Sequence, residues 1–401
     1  MKIVHVEDVF HPDTGYQLNL LSKYMVAAGH DVVIITAETE KLPKGFMNFF
    51  GSENIRRRDE IFTHNYGVRI IRIPTKGYYS GRVFLSSRFF EIIKSENPDV
   101  VYVHGNDTLT GMRYLLNLKK MKYPIVMDSH MLDMAAKNKF KSVFRFFYKT
   151  MFAPIIIKNL IPVIRTQDSD YVEKALGIPL SLAPWISTGS DTMVFKKDQI
   201  IRAKMRQKNN IKENEFVVTY AGKLDEAKGG MLLARALREK INLVSKKICF
   251  IIIGNAVGEY GQQVEDIFST SENRILRFGT QKYMELAPFF QMSDLVIFPK
   301  QCSLSFYDAQ ACGIPVLFED NEINSKRAVN GNAVTFKSND IYDCRKKIIQ
   351  IANMNASDYL SMSRASEELI KESYDYKKIC DTYLDVITKE IDKYNKNHIC
   401  T

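Results

Sequence analysis

Short runs of apolar residues, rich in β-branched types, recur along this chain, each followed by a glycine or polar loop and then by helical spacing. In the first half they are Lys2 to Val6, Val32 to Thr36, Val68 to Ile73, Val100 to Val103, Ile125 to Met127 and Val163 to Thr166. In the second they are Phe216 to Tyr220, Ile248 to Ile253, Ile275 to Phe278, Leu295 to Phe298 and Pro315 to Phe318. Strand-length runs separated by amphipathic helices build doubly wound α/β sheets, in which ligands sit beyond the carboxyl ends of the strands. Periodicity is lost around Pro184 to Gly189, which divides the chain. The expectation is a Rossmann-like domain over 1–185, a linker over 186–213, a second Rossmann-like domain over 214–372, and a C-terminal helix over 373–401 that crosses back toward the first. Arg82 to Glu96 reads as one helix, and Lys41 to Asn65 and Gly77 to Arg82 as loops.

Within that frame, Thr219 to Gly230 (Thr-Tyr-Ala-Gly-Lys-Leu-Asp-Glu-Ala-Lys-Gly-Gly) has the form of an anion site. Gly222 lets backbone come close to a ligand, Lys223 and Lys228 add positive charge, and helical spacing over Met231 to Leu237 points a helix N-terminus at the same spot. A diphosphate would fit there; a solvated turn with surface lysines is the alternative for the segment taken alone. In the first half, His104 and His130 each follow a strand. Singly, each could close a strand through a hydrogen bond; together at one sheet edge they suit a polar pocket.

The 56 basic residues against 46 acidic ones give a net charge of +10, which favours a polyanionic partner: nucleic acid, an anionic membrane or a phosphorylated substrate. The segment Lys137 to Phe152 narrows the choice. Lys137, Lys141, Arg145 and Lys149 recur at helical spacing beside Phe140, Val143, Phe144, Phe147 and Met151, with no acid between. A helix of this kind suits an anionic membrane or a lipid-linked phosphate, although a core-facing stripe flanked by solvated lysines has the same pattern. No nucleic-acid motif accompanies the basic charge, so no nucleic-acid partner is expected. Met1 to Phe10 carries Glu7 and Asp8, unlike a signal peptide, and Met151 to Ile164 is too short and too interrupted to span a bilayer. The six cysteines are scattered without a Cys-x-x-Cys, so neither a zinc site nor a disulfide framework is indicated. The setting expected is cytoplasmic, with peripheral contact on the inner face of the cell membrane.

These features fall in a definite order. Gly15 follows the first strand, Pro98-Asp99-Val100-Val101-Tyr102-Val103-His104 the middle one, and His130 the next; then come Gly189-Ser190-Asp191-Thr192 with Phe195, the lysine loop, and Asp308-Ala309-Gln310-Ala311-Cys312-Gly313-Ile314-Pro315-Val316. In that order and spacing the chain resembles, over nearly its whole length, the family-4 retaining glycosyltransferases of the GT-B fold, whose pattern at the last run is Glu-Ala-x-Ala-Cys-Gly-x-Pro-Val. The resemblance implies two Rossmann-like domains facing a cleft. It implies transfer of a sugar from a nucleotide-diphosphate donor to a hydroxyl of a glycan or lipid-linked acceptor, in cell-surface polysaccharide or glycolipid synthesis. Lys223 and Lys228 would neutralise the departing diphosphate, with no metal and no cofactor. Gly15 would offer a backbone N–H to the same phosphates, and His130 would lie near the donor sugar with His104 behind it. Gly222, Ser303, Leu304, Ser305 and Asp308 would hold the donor, Asp308 by accepting hydrogen bonds from ribose hydroxyls.

The chain also departs from the family pattern. Only the second of the usual two glutamates has a counterpart, the shorter Asp308; Lys223 stands where arginine is usual, and Tyr16 where many relatives have a second glycine. The incomplete acidic pair keeps two other readings open: a non-catalytic GT-B-like subunit that binds glycan or supports another transferase, and a nucleotide-sugar epimerase.

Overall fold

A computed structural model describes residues 1–39, 53–79, 82–131, 140–300 and 304–399. The chain forms two compact units, Met1–Thr188 together with Lys377–Thr401, and Gly189–Tyr376.

The first unit is built on β1 (Lys2–Val6), β2 (Asp31–Ala37), β3 (Arg69–Ile73), β4 (Thr75–Tyr79), β5 (Arg82–Leu85), β6 (Val100–Val103), β7 (Ile125–Ser129) and β8 (Val163–Arg165). Six of them make one parallel sheet in the order β3-β2-β1-β6-β7-β8. Strands such as Val100–Val103 are buried at every residue, as a sheet covered on both faces requires. Side chains alternate between those faces. Val4, Val6, Val101, Val103 and Met127 enter the apolar core with Phe89, Ile93, Tyr148 and Ile156. The opposite face is polar at its carboxyl end, because His5 pairs with Tyr102 in the register and His104 and Asp128 follow two residues along their strands. The C-terminal helix Tyr376–Ile399 returns to this unit. Its Tyr383 hydroxyl accepts from Gln17 Nε2 at 2.8 Å and donates to Ile186 O at 3.3 Å, and its ring lies 6.4 Å from that of Tyr102.

Three local expectations change here. Arg82 to Glu96 is not one helix: Arg82–Leu85 pairs with β4 as an antiparallel hairpin, and the helix is Arg88–Glu96. Arg113 explains the strand, since its guanidinium donates to Leu85 O and stacks over Phe84, drawing the segment onto the sheet unit. Gly77 to Tyr79, expected in a loop, belong to β4. Of Lys41 to Asn65, positions 41–52 lie outside the described residues, while Ile55–Tyr66 forms a helix that buries Ile55, Asp59 and Phe62.

The second unit repeats the plan with β9 (Glu215–Ala221), β10 (Lys247–Ile253), β11 (Arg274–Phe278), β12 (Leu295–Phe298), β13 (Val316–Glu319) and β14 (Ala333–Phe336). They form a parallel sheet in the order β11-β10-β9-β12-β13-β14. Apolar side chains on its two faces supply two cores, one with Phe290, Phe306 and Phe318, the other with Phe250, Leu233 and Ile348. Where β9 and β10 end, the backbones meet closely: a Cβ on Gly254, at φ +130°, would lie 1.8 Å from Gly222 O. Only glycine fits at that place.

Candidate active site

In both sheets the strand order reverses once, between β1 and β6 and between β9 and β12, and open α/β sheets bind ligands at the carboxyl end of such a reversal. The expected site residues fall around these two places.

In the second unit, the loop leaving β9 is folded on itself. Gly222 N–H donates to Ile253 O at 3.0 Å, which commits that donor to the chain. Tyr220 hydroxyl donates to Lys223 O at 2.5 Å, and Lys228 N–H to Asp225 Oδ1 at 2.9 Å. Both lysines are therefore carried on a turn fixed by neighbours that sequence reasoning passed over, Tyr220 and Asp225. Gly229 then takes the left-handed φ of +75° and packs so near β12's exit that a Cβ there would lie 3.0 Å from Lys300 Cβ. The reversal thus draws Lys300 to the lysine loop, a further cation that the sequence reading does not single out; the available signal is its place just after β12 in an α/β repeat. Leu304 and Ser305 open the short helix Ser305–Ala311, and Ser303 lies outside the described residues.

Asp308 sits on the buried side of that helix, 1% exposed. Its Oδ1 accepts from Ser190 Oγ at 2.7 Å and Tyr283 hydroxyl at 2.9 Å. Burial pushes the carboxyl up to about 7, against the pull of the two hydroxyls, and nearby Asp191 adds to the rise. Ser190 is itself pinned by backbone bonds to Tyr374 and Tyr376, so the Gly189-Ser190-Asp191-Thr192 stretch is tied to the acid within one unit.

In the first unit, Gly15 lies in the turn between β1 and the helix Gln17–Ala27. The turn is latched by Asn19, whose Nδ2 donates to His11 O at 2.9 Å and whose Oδ1 accepts from Thr14 at 2.7 Å. Among the described residues the Gly15 N–H has no acceptor in the chain. The two histidines are joined through Asp128, a residue near the end of β7 that sequence reasoning did not single out. His104 Nδ1 lies 2.8 Å from Asp128 Oδ2, and His130 Nε2 3.2 Å from Asp128 Oδ1. These three side chains bring ligand-type atoms within 4.8 Å of one another, a proximity that the hydrogen bonds themselves require. At the same edge Asp8 accepts from Thr110 at 2.5 Å, and burial pushes its carboxyl up to about 7.

The basic segment forms the helix Lys141–Met151; Lys137 lies outside the described residues. Tyr148 is buried and Phe144 packs on the core, but Phe140, Val143, Phe146, Phe147 and Met151 are exposed. The apolar face is thus largely presented to the outside, not to the core. Lys149 Nζ donates to Lys174 O at 2.7 Å and Arg145 stacks over Tyr171, so two of the four cations are engaged within the unit. Among the described residues no helix is long and apolar enough to cross a membrane.

Two such units, each a parallel sheet with one central reversal, define a GT-B architecture. Residues 15–157 match the family model "Glycosyltransferase Family 4" and residues 201–369 the model "Glycosyl transferases group 1", and the chain belongs to this group of glycosyltransferases. A lipopolysaccharide 1,2-N-acetylglucosaminetransferase of Salmonella typhimurium is 26% identical over 158 residues, 37% of this chain and 40% of that enzyme's length. A glycosyltransferase from Rickettsia africae superposes with a TM-score of 0.72 at 13% identity, covering 97% of this chain and 98% of its own. Anabaena HepE, solved in complex with UDP and glucose, gives 0.71 at 15% identity, covering 97% of this chain and all of its own (100%). At these identities the structural matches carry the fold alone.

Proposed function

We propose that this chain is a retaining glycosyltransferase, moving a sugar from a nucleotide-diphosphate donor to a hydroxyl of a glycan or lipid-linked acceptor. The observation that carries the reading is the pair Lys223 and Lys228 on a braced turn at the β9–β12 reversal, with Lys300 beside it. A leaving diphosphate gains negative charge as the glycosidic bond breaks, and cations fixed beforehand stabilise it most where that charge develops. The lysines then do the neutralising, and no metal is invoked. Gly15 supplies a backbone donor to the phosphates and His130 a contact to the donor sugar. Asp308 acts on the ribose side, through a carboxyl that shares its buried oxygen with Ser190 and Tyr283. Retention follows from acceptor attack on the face the diphosphate leaves, with a phosphate oxygen taking the acceptor proton.

The exposed apolar face of Lys141–Met151, with Lys141 beside it, suits an anionic membrane and therefore a lipid-linked acceptor. The Salmonella relative, a lipopolysaccharide sugar transferase, and HepE, which holds UDP and glucose, support a nucleotide-sugar donor and a cell-surface product.

The test is a panel of UDP, GDP and dTDP sugars offered to the purified protein, with calorimetry for nucleoside-diphosphate binding. Turnover that is lost in Lys228→Ala supports transfer and eliminates a non-catalytic subunit; no turnover and no binding across the panel refutes the reading. NMR analysis of products separates transfer from epimerisation.

A further inference from the structure

Both ring nitrogens of His130 meet groups able to accept a proton from it. Nδ1 lies 3.2 Å from Thr166 Oγ1, and the single proton of that hydroxyl has a carbonyl acceptor in Ser129 O at 3.3 Å. The hydroxyl oxygen is then left to accept from the ring. Nε2 lies 3.2 Å from Asp128 Oδ1, and an ionised carboxylate only accepts. Asp128 in turn receives Gly105 N–H at 2.7 Å and lies 2.8 Å from His104 Nδ1, so an ionised carboxylate there meets donors on both sides. Burial works against its charge, but the two histidines and these hydrogen bonds outweigh it and hold the carboxyl well below the usual range. The chain of bonds continues from His104 Nε2 to His5 Nδ1 at 2.9 Å and ends there, with His5 Nε2 buried and unpartnered. Burial holds His5 neutral.

We propose that Asp128 and Thr166 are positioning residues for His130, holding its ring by both nitrogens as an imidazolium, a fixed positive charge just beyond β7 at the carboxyl edge of the first sheet. The catalytic use of that charge rests on the transferase reading, in which His130 stands near the donor sugar; the charge itself does not. A cation held there stabilises an oxygen that gains negative charge as the donor bond breaks.

The groups around the ring agree. Glu7 follows β1, Asp107 follows β6 and Asp128 lies on β7, three acids from three elements, while His104 shares Asp128. The ring is only partly withdrawn from water, its side chain being 45% exposed; that partial desolvation opposes the charge, but these acids prevail and raise His130 to about 9.

The experiment is a histidine-resolved NMR titration of the whole protein, with the His130 signal assigned through His130→Asn. The wild-type ring is expected to stay protonated through neutral pH, with a midpoint of about 9. In Asp128→Asn the midpoint should return toward the ordinary value of about 6.5. Transfer by that variant should fall about tenfold near pH 7.5, where a ring of that midpoint keeps roughly a tenth of its imidazolium, and recover as pH is lowered. A generally damaged fold would not produce such a recovery. Thr166→Val should lower the midpoint in the same direction and Thr166→Ser restore it, which keeps the test open if Asp128→Asn does not fold. A wild-type midpoint near 6.5 overturns the proposal whatever the activity. So does tight stoichiometric Zn²⁺ uptake by the wild type that Asp128→Asn loses, since the cluster would then be a metal centre. If no nucleotide sugar is turned over, the transferase reading falls by itself and the titration still decides the charge state.

Discussion

The hydroxyl of Tyr220, next to last in β9, donates to the backbone carbonyl of Lys223 at 2.5 Å and so ties the strand to its own exit loop. With the Asp225 carboxylate receiving Lys228 N–H, both lysines have a backbone fixed by local bonds and not by a ligand. Preorganised charge of this kind needs no rearrangement when a leaving group arrives.

Lys228→Ala should lower kcat by about 10²–10³, the usual cost of losing one fixed stabiliser of developing charge. Lys223→Arg should be tolerated, because a guanidinium keeps the charge and adds a fork of donors. Asp225→Ala should fall between them, keeping both charges while loosening the turn. Steady-state transfer assays on the best donor from the panel rank the three, and a Lys228→Ala enzyme with near wild-type kcat sinks the lysine assignment.

Gly254→Ala should destabilise the second unit by about 3 kcal/mol or more, combining overpacking with a strained backbone. The added carbon would meet Gly222 O at 1.8 Å, and the backbone sits at φ +130°. Gly29→Ala offers a control: it also has a positive φ, +88°, but nothing lies within 4 Å of the new carbon. It should cost only about 1 kcal/mol. Chemical denaturation of both variants makes the comparison.

The stability of the second unit should decline as pH rises from about 4 toward 7 through Asp308. Its carboxyl titrates near 7 when folded, against about 3.9 in the unfolded chain. Between those values the folded state holds a proton that the unfolded state has released, so raising pH favours unfolding, by about 4 kcal/mol at most. Asp308→Asn should flatten that part of the profile, as read from denaturation midpoints at several pH values. An unchanged slope would show that Asp308 is ionised in the native protein.

Binding to anionic vesicles should depend on the outward face of Lys141–Met151. Val143→Ser with Phe146→Ser should reduce flotation strongly, since burying a side chain of this kind contributes about 1.5–3 kcal/mol. Lys141→Glu should weaken it by about 1 kcal/mol and more so at low salt. Melting temperature should move little for the Val143 and Phe146 variant, because these side chains are exposed. Equal flotation of wild type and variants would count against membrane contact.

Most of the strands and their order of appearance were legible because a two-faced buried strand leaves an unbroken apolar run, as in Val100–Val103 and Leu295–Phe298, whereas the edge strand Ala333–Phe336, buried only at its last residue, escaped. Arg82–Leu85 escaped because it is short and lies beside a genuine helix, and its hairpin partner supplies the pairing that no local pattern reports. Lys223, Lys228 and His130 were visible as residue types after strand ends. Their supports were not: Asp225 looks like any turn acid, and the joining of His5, His104 and Asp128 depends on a register between strands far apart in sequence. The outward apolar face of Lys141–Met151 shares its periodicity with a core helix, and only burial separates the two.

The return of Tyr376–Ile399 to the first unit bears on biosynthesis. Tyr383, which packs beside Tyr102 and holds Gln17, is translated only after every residue of the second unit. A nascent chain that has reached Gly331 already carries every strand of the first sheet, yet it still lacks the helix that brings Tyr383 to Tyr102 and Gln17. The first unit is begun early and finished last, so a stall or frameshift anywhere in the second leaves the first incomplete as well.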